Sequence, residues 1–152
     1  MIKGLFETHI NVSSLEKSID FYQNTLDLTL GALDEERRIA FFWLGKWGEA
    51  MLGVWEKSKE NIQPQHFAFR CEVVDVLNKS VLYLKERNID CYNFSKDRNE
   101  KPMVFAWMPA ISIYFKDPDN HVLEFIAMLE GKPQPELGIM SYEEWTKLNN
   151  QK

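Results

Sequence analysis

The chain has 152 residues, of which 45% are hydrophobic and 13% aromatic, enough for one ordinary domain or two small half-domains sharing a core. Its formal net charge of −5 argues against nucleic-acid or membrane-surface partners, which need a basic face. No apolar run approaches the length of a membrane span, and the opening MIKGLFETHI carries too short an apolar run for a secretory signal. Cys71 and Cys91 fit a reducing compartment with both thiols free, so a cytoplasmic location is expected.

Residues 5–12, LFETHINV, alternate and predict a strand. Ser13 with Glu16 three positions on reads as a capping box, opening a helix over about 14–25 with Leu15, Ile19, Phe21, Tyr22 and Leu26 on its apolar side. LDLTLGALD leaves it as a strand and turn. RIAFFWL and AMLGVW follow as strands joined by a turn bearing Gly45 and Gly48. KSKENIQP is polar, ends in Pro64 and reads as a linker. The pattern then restarts: strand QHFAFRCEV, helix at about 75–87, strand IDCYNF, the charged loop SKDRNEKP, strands around Pro109, the turn DPDN, and strand HVLEFIAM. Beyond it, LEGKPQPELG connects to a short terminal helix opened by the capping box Ser141–Glu144, with Trp145 and Leu148 docking it. The expected domain thus covers residues 1–128, with modules at about 5–56 and 65–128 and an extension at 129–152.

The repeat places three chemistry-bearing residues at even intervals. His9 and His66 are 57 residues apart, and His66 and Glu124 are 58 apart. Two related halves would bring such positions together. Two neutral imidazoles and one carboxylate on neighbouring strands make a divalent-metal site with open coordination positions. Sliding YFKDPDNHVLEFI from Tyr114 onto WLGKWGEAMLGVW from Trp43 needs no gap and sets Gly53 opposite Glu124. Alternation puts Glu7, His9 and Asn11 on one strand face, away from Phe6, Ile10 and Val12. His121 lies an odd number of residues from Glu124, hence on the opposite face, and reads as a hairpin residue rather than a ligand.

The stretches HINVSSLEKSIDFYQNTLDL, HFAF and FKDPDNHVLEF resemble the vicinal oxygen chelate superfamily, which includes glyoxalase I, fosfomycin-resistance thiol transferases, extradiol dioxygenases and bleomycin-binding proteins. The resemblance covers about residues 5–128. It implies an α+β fold of two βαβββ modules forming a partly open mixed β-barrel or cup, with the short C-terminal helix outside it. It also implies a divalent metal (zinc, nickel, manganese or iron) on His9, His66 and Glu124, a small-molecule substrate and a homodimer. Typical glyoxalase I enzymes place a fourth ligand where Gly53 stands, and Glu56 takes that place if the register is shifted.

Arg70 falls on the His66 face and suits an anionic substrate group. Tyr114, Trp43, Trp55 and Trp107 are candidates for a cavity lining, and Cys71 falls on the opposite face from His66, as packing. Arg98 or Lys101 of the charged loop would draw an anionic substrate toward the cavity. The expected function is a metal-dependent glyoxalase-like lyase or transferase acting on a small polar substrate by bidentate oxygen coordination. A ferrous extradiol-type dioxygenase and a metal-free drug- or metabolite-binding resistance protein stand as alternatives.

Overall fold

The computed structural model describes residues 1–95 and 99–149; Arg98 lies outside them. The chain forms two compact units: residues 1–65 with 117–121, and residues 66–116 with 122–152. Each carries its own open sheet, and the mixed α+β architecture ends in a short C-terminal helix. No helix among the described residues is long and apolar enough to cross a membrane.

In the first unit, strands β1 (Glu7–Val12), β2 (Thr29–Asp34), β3 (Ile39–Leu44) and β4 (Ala50–Glu56) form a sheet in the order β1-β4-β3-β2. β1 runs parallel to β4, and the other pairs are antiparallel. Ile10, Val12, Ala40, Phe42, Leu52 and Val54 are buried on one face. The helix that covers the core, α1 (Leu15–Ile19), continues as a π-turn at Asp20–Thr25. The wider turn lets adjacent Phe21 and Tyr22 both enter the core, which a single α-helical face would not allow. The cap is Ser14, whose hydroxyl accepts from Lys17 N. The Ser13 N–H is instead taken by Asp119 at 2.9 Å, a contact 106 residues away that no local pattern announces.

The second unit contains β5 (His66–Arg70), α2 (Val73–Asn78), α3 (Ser80–Glu86), β6 (Cys91–Tyr92), β7 (Met103–Phe105), β8 (Ala110–Lys116), β9 (Val122–Met128), β10 (Ile139–Met140) and α4 (Tyr142–Asn149). Its sheet runs β10-β7-β8-β9-β5, with β6 also paired to β8. The single helix expected over 75–87 is two helices broken at Lys79, where Ser80 Oγ donates back to Val76 O at 2.6 Å. The strand expected over 89–94 is cut to two residues. Asn93, buried, donates to Asn99 Oδ1 and Lys101 O and so turns the chain into the charged loop. The C-terminal segment contributes β10 to the sheet and Trp145 to a core of Val76, Val104, Ala106, Ile111 and Ala127. The Ser141–Glu144 capping box forms as read, the Ser141 N–H donating to Glu144 Oε2 and the Glu144 N–H to Ser141 Oγ.

Both cysteines are free. Burial, with the Asp75 carboxylate nearby, pushes the Cys71 thiol up to about 11, and burial raises Cys91 as well. Because the thiolate is the nucleophile, alkylation of Cys71 by iodoacetamide should be slow near neutral pH and accelerate only as the pH nears 11. Rapid labelling of the folded protein at neutral pH would contradict the burial.

Candidate metal-binding half-sites

β1 alternates, so Glu7, His9 and Asn11 point to the face of the first sheet opposite the helix, opposite Met51, Gly53 and Trp55 on β4. His9 is the register partner of Gly53. A Cβ on Gly53 would lie 3.0 Å from His9 Nδ1 and 3.2 Å from Phe41 Cε1. The missing side chain is therefore what gives the imidazole its place. Phe41 meets the ring edge-on at 5.7 Å. The Trp55 indole N–H donates to His9 Nδ1, and His9 Nε2 meets Glu7 Oε1. With Nδ1 accepting, the ring hydrogen sits on Nε2 and is donated to the Glu7 carboxylate. The Trp55 ring is itself held by Arg37 and Lys57, at 5.2 and 5.7 Å from its centroid.

Glu56 is engaged elsewhere. Three residues from Gly53, it projects to the other face. Its carboxylate takes Arg38 Nε at 3.0 Å and the Leu15 N–H at 2.7 Å. Those two donors, Arg38 first, hold the carboxyl below its ordinary range. A carboxyl lowered on folding stabilises above its unfolded pKa and loses that contribution as the pH falls through the folded value. Glu56→Gln should thus lower the melting temperature near neutral pH, converge with wild type in acid, and leave metal affinity unchanged. Weaker metal binding in this variant would mean that the β4 register is wrong.

In the second unit, His66 Nδ1 lies 3.0 Å from Val122 O and Nε2 lies 3.1 Å from Glu124 Oε2. The carbonyl accepts only, so Nδ1 carries a hydrogen, and Nε2 faces a carboxylate oxygen. Glu124 is 4% exposed. Tyr114 OH donates to its other oxygen at 2.8 Å. Burial, together with the Glu124 carboxylate, raises the Tyr114 phenol well above its ordinary range, so it stays a donor. Tyr92, Phe94 and Phe105 wall Tyr114 in, with Phe94 edge-on at 4.4 Å.

Of the other residues singled out in the sequence, Arg70 shares the His66 face and has no ion-pair partner among the described residues. Trp43 packs against Phe6 and Trp47, beside Gly31, where a Cβ would meet its indole nitrogen at 2.8 Å. Trp107 stands 56% exposed in the β7–β8 turn, away from these clusters. His121 is buried, with Nε2 on Asn11 O and Nδ1 on the Gln65 N–H. It helps to fasten the turn in which Asp117 accepts from Tyr22 OH at 2.8 Å. Glu7 was not singled out, although its place two residues before His9 on the same face was legible. Among the described residues no three His, Cys, Asp or Glu side chains gather as a group that could hold a metal ion. Each unit holds one imidazole–carboxylate pair.

Two βαβββ-type modules, each presenting an imidazole–carboxylate pair on the face of its sheet opposite the helices, define a class of small α+β proteins. The chain belongs to the Glyoxalase/Bleomycin resistance protein/Dioxygenase superfamily, which matches residues 4–125. It is similar to an integron cassette protein from the mobile metagenome of the Halifax Harbour sewage outfall, at 37% identity and TM-score 0.71 over 84% of this chain and 100% of that one. Protein YraH of Bacillus subtilis is 28% identical over 134 residues, 82% of this chain and 98% of YraH. The fosfomycin resistance protein FosX from Mesorhizobium loti shares the fold at 20% identity and TM-score 0.58, covering 85% and 95% of the two chains.

Proposed function

We infer that the protein is a metal-dependent, glyoxalase-like enzyme, a lyase or transferase that acts on a small polar substrate, with His9, His66 and Glu124 holding one divalent ion. The observation that carries this reading is the contact of His66 Nε2 with the buried Glu124 Oε2 at 3.1 Å. An imidazole fixed through Nδ1 by a carbonyl, beside a buried carboxylate, is a donor set suited to zinc, nickel, manganese or iron. His9 fits the same role once its Nε2 hydrogen moves. When bound, the ion supplies Lewis acidity toward two neighbouring substrate oxygens.

The chain's own contributions follow from its residues. Tyr114 orients Glu124 by donating its hydroxyl hydrogen to Oε1. Arg70, with its free guanidinium on the His66 face, binds an anionic substituent of the substrate. Trp55 and Phe41 hold the His9 ring. The enzyme is read as a cytoplasmic homodimer, in keeping with the superfamily. A ferrous dioxygenase is the second reading, favoured by Gly53 opposite His9, since a lone carboxylate with two histidines is the oxygenase ligand set.

The test is elemental analysis of protein purified without added metal and after incubation with each of the four ions. About one equivalent per chain is expected, and less than about a tenth of an equivalent with every ion would overturn the reading.

A further inference from the structure

We propose that the face of the second sheet opposite its helices binds the carboxylate of a small monocarboxylate substrate, held from one side by the Arg70 guanidinium and from the other by the Ser112 hydroxyl. This deepens the reading above by naming the substrate's class, and it stands on residues of the second unit alone. Arg70 on β5, Ile126 on β9, Ser112 on β8 and Met103 on β7 are successive register partners, so their side chains form one row across a single sheet face. Arg70 is exposed and has no acceptor among the described residues. Ser112 is 1% exposed, and its Oγ is the buried side-chain oxygen that no hydrogen bond reaches among them. The neighbouring Tyr114 hydroxyl spends its hydrogen on Glu124 Oε1 at 2.8 Å and has none for Ser112.

A hydroxyl buried without a partner destabilises the free protein, and an arriving ligand oxygen removes that cost. Arg70 and Ser112 stand two strands apart, roughly 10 Å between backbones at the usual strand spacing. A carboxylate between them takes a charge-assisted hydrogen bond from the guanidinium on one oxygen and the Ser112 hydrogen on the other, with the Ile126 side chain beneath it. One guanidinium balances one negative charge. A dianionic phosphonate or phosphate would be left half compensated, its surplus charge facing the Glu124 oxygens one row along β9. Met103, unbranched and half-buried, is the side chain that turns aside as the ligand oxygen reaches Ser112. Ile126 and Glu124 are two residues apart, roughly 7 Å along the strand. The carboxylate therefore lies about that far from the end of the substrate that meets His66 and Glu124.

The experiment titrates the full chain with benzoate, its neutral analogue benzamide and its dianionic analogue phenylphosphonate, followed by amide NMR shifts, with and without a chelator. Wild type, Arg70→Gln, Ser112→Ala and Lys79→Gln, which removes a cation paired with Asp75 at the α2–α3 break, are compared. Wild type should bind benzoate about tenfold more tightly than either analogue, with or without chelator. Arg70→Gln should lose roughly 10–100-fold in benzoate affinity and Ser112→Ala roughly 3–10-fold, while Lys79→Gln loses nothing. Ser112→Ala should also melt at or above the wild-type temperature, because it takes an unpartnered hydroxyl out of the interior. Benzoate affinity within about twofold of benzamide, or equal in wild type and Arg70→Gln, overturns the proposal. Phenylphosphonate binding as tightly as benzoate overturns the carboxylate assignment. Loss of benzoate binding on adding chelator puts the carboxylate on a metal and overturns the site as well. Ser112→Ala with wild-type affinity, or with a lowered melting temperature, overturns the role of Ser112 and with it the two-sided grip. Elemental analysis judges the metal-dependent reading separately, so failure of one is told apart from failure of the other.

Discussion

Glu124→Gln should abolish stoichiometric divalent-metal binding, and Tyr114→Phe should weaken it by roughly 10–100-fold. Glu124 is 4% exposed on β9, a costly place for a charge unless charged or donating groups meet it. It meets Tyr114 OH at 2.8 Å and His66 Nε2 at 3.1 Å. Glutamine keeps the shape, and its oxygen still accepts from Tyr114, but it removes the negative charge that a hard divalent ion requires. Tyr114→Phe keeps the carboxylate and removes only the donor that aims it. The metal-free variants should stay folded, because neither change opens a cavity. Calorimetric titration reads the affinities, and thermal unfolding without metal supplies the control. If Glu124→Gln binds metal as tightly as wild type, the buried carboxylate is structural and the proposed ligand set falls.

Trp145→Ala should cost about 3–5 kcal/mol of stability, the range for truncating a large aromatic in a packed core. Trp145 is 2% exposed and packs with Val76, Val104, Ala106, Ile111 and Ala127. Gly131, at φ +121, passes so close that a Cβ there would lie 2.9 Å from the indole, which leaves little room for the site to collapse. Val104, Ile111 and Ala127 project to the helix-covered face of the second sheet, while Tyr114 and Glu124 project to the other. Metal affinity measured on folded Trp145→Ala should therefore equal that of wild type. Urea unfolding followed by circular dichroism measures the loss. A change under about 1 kcal/mol would show that the C-terminal segment contributes little to the core.

Local signals in the sequence determined what depends on local geometry. Strand alternation set His9 opposite Ile10 and Val12 and put Arg70 on the face of His66, because successive side chains on a strand must oppose one another. The capping box at Ser141 follows from a three-residue spacing that a helical turn closes by itself. Internal similarity pairs His9 with His66 and sets Gly53 against Glu124, so the metal-binding reading follows from the sequence. Tertiary structure decided whatever depends on partners distant in the chain. The Ser13 N–H went to Asp119, and the cap moved to Ser14. Glu56 was committed to Arg38, which removed it from the candidate ligands. Trp55 donates to His9, 46 residues earlier in the chain, across a parallel strand pair, so the tautomer of that histidine is a tertiary property. Glu7 acquired meaning only when its carboxylate met His9 over a glycine. A strand pattern says which face a side chain takes, but hydrogen-bond partners depend on which strands pair and in which register, and long-range packing settles that.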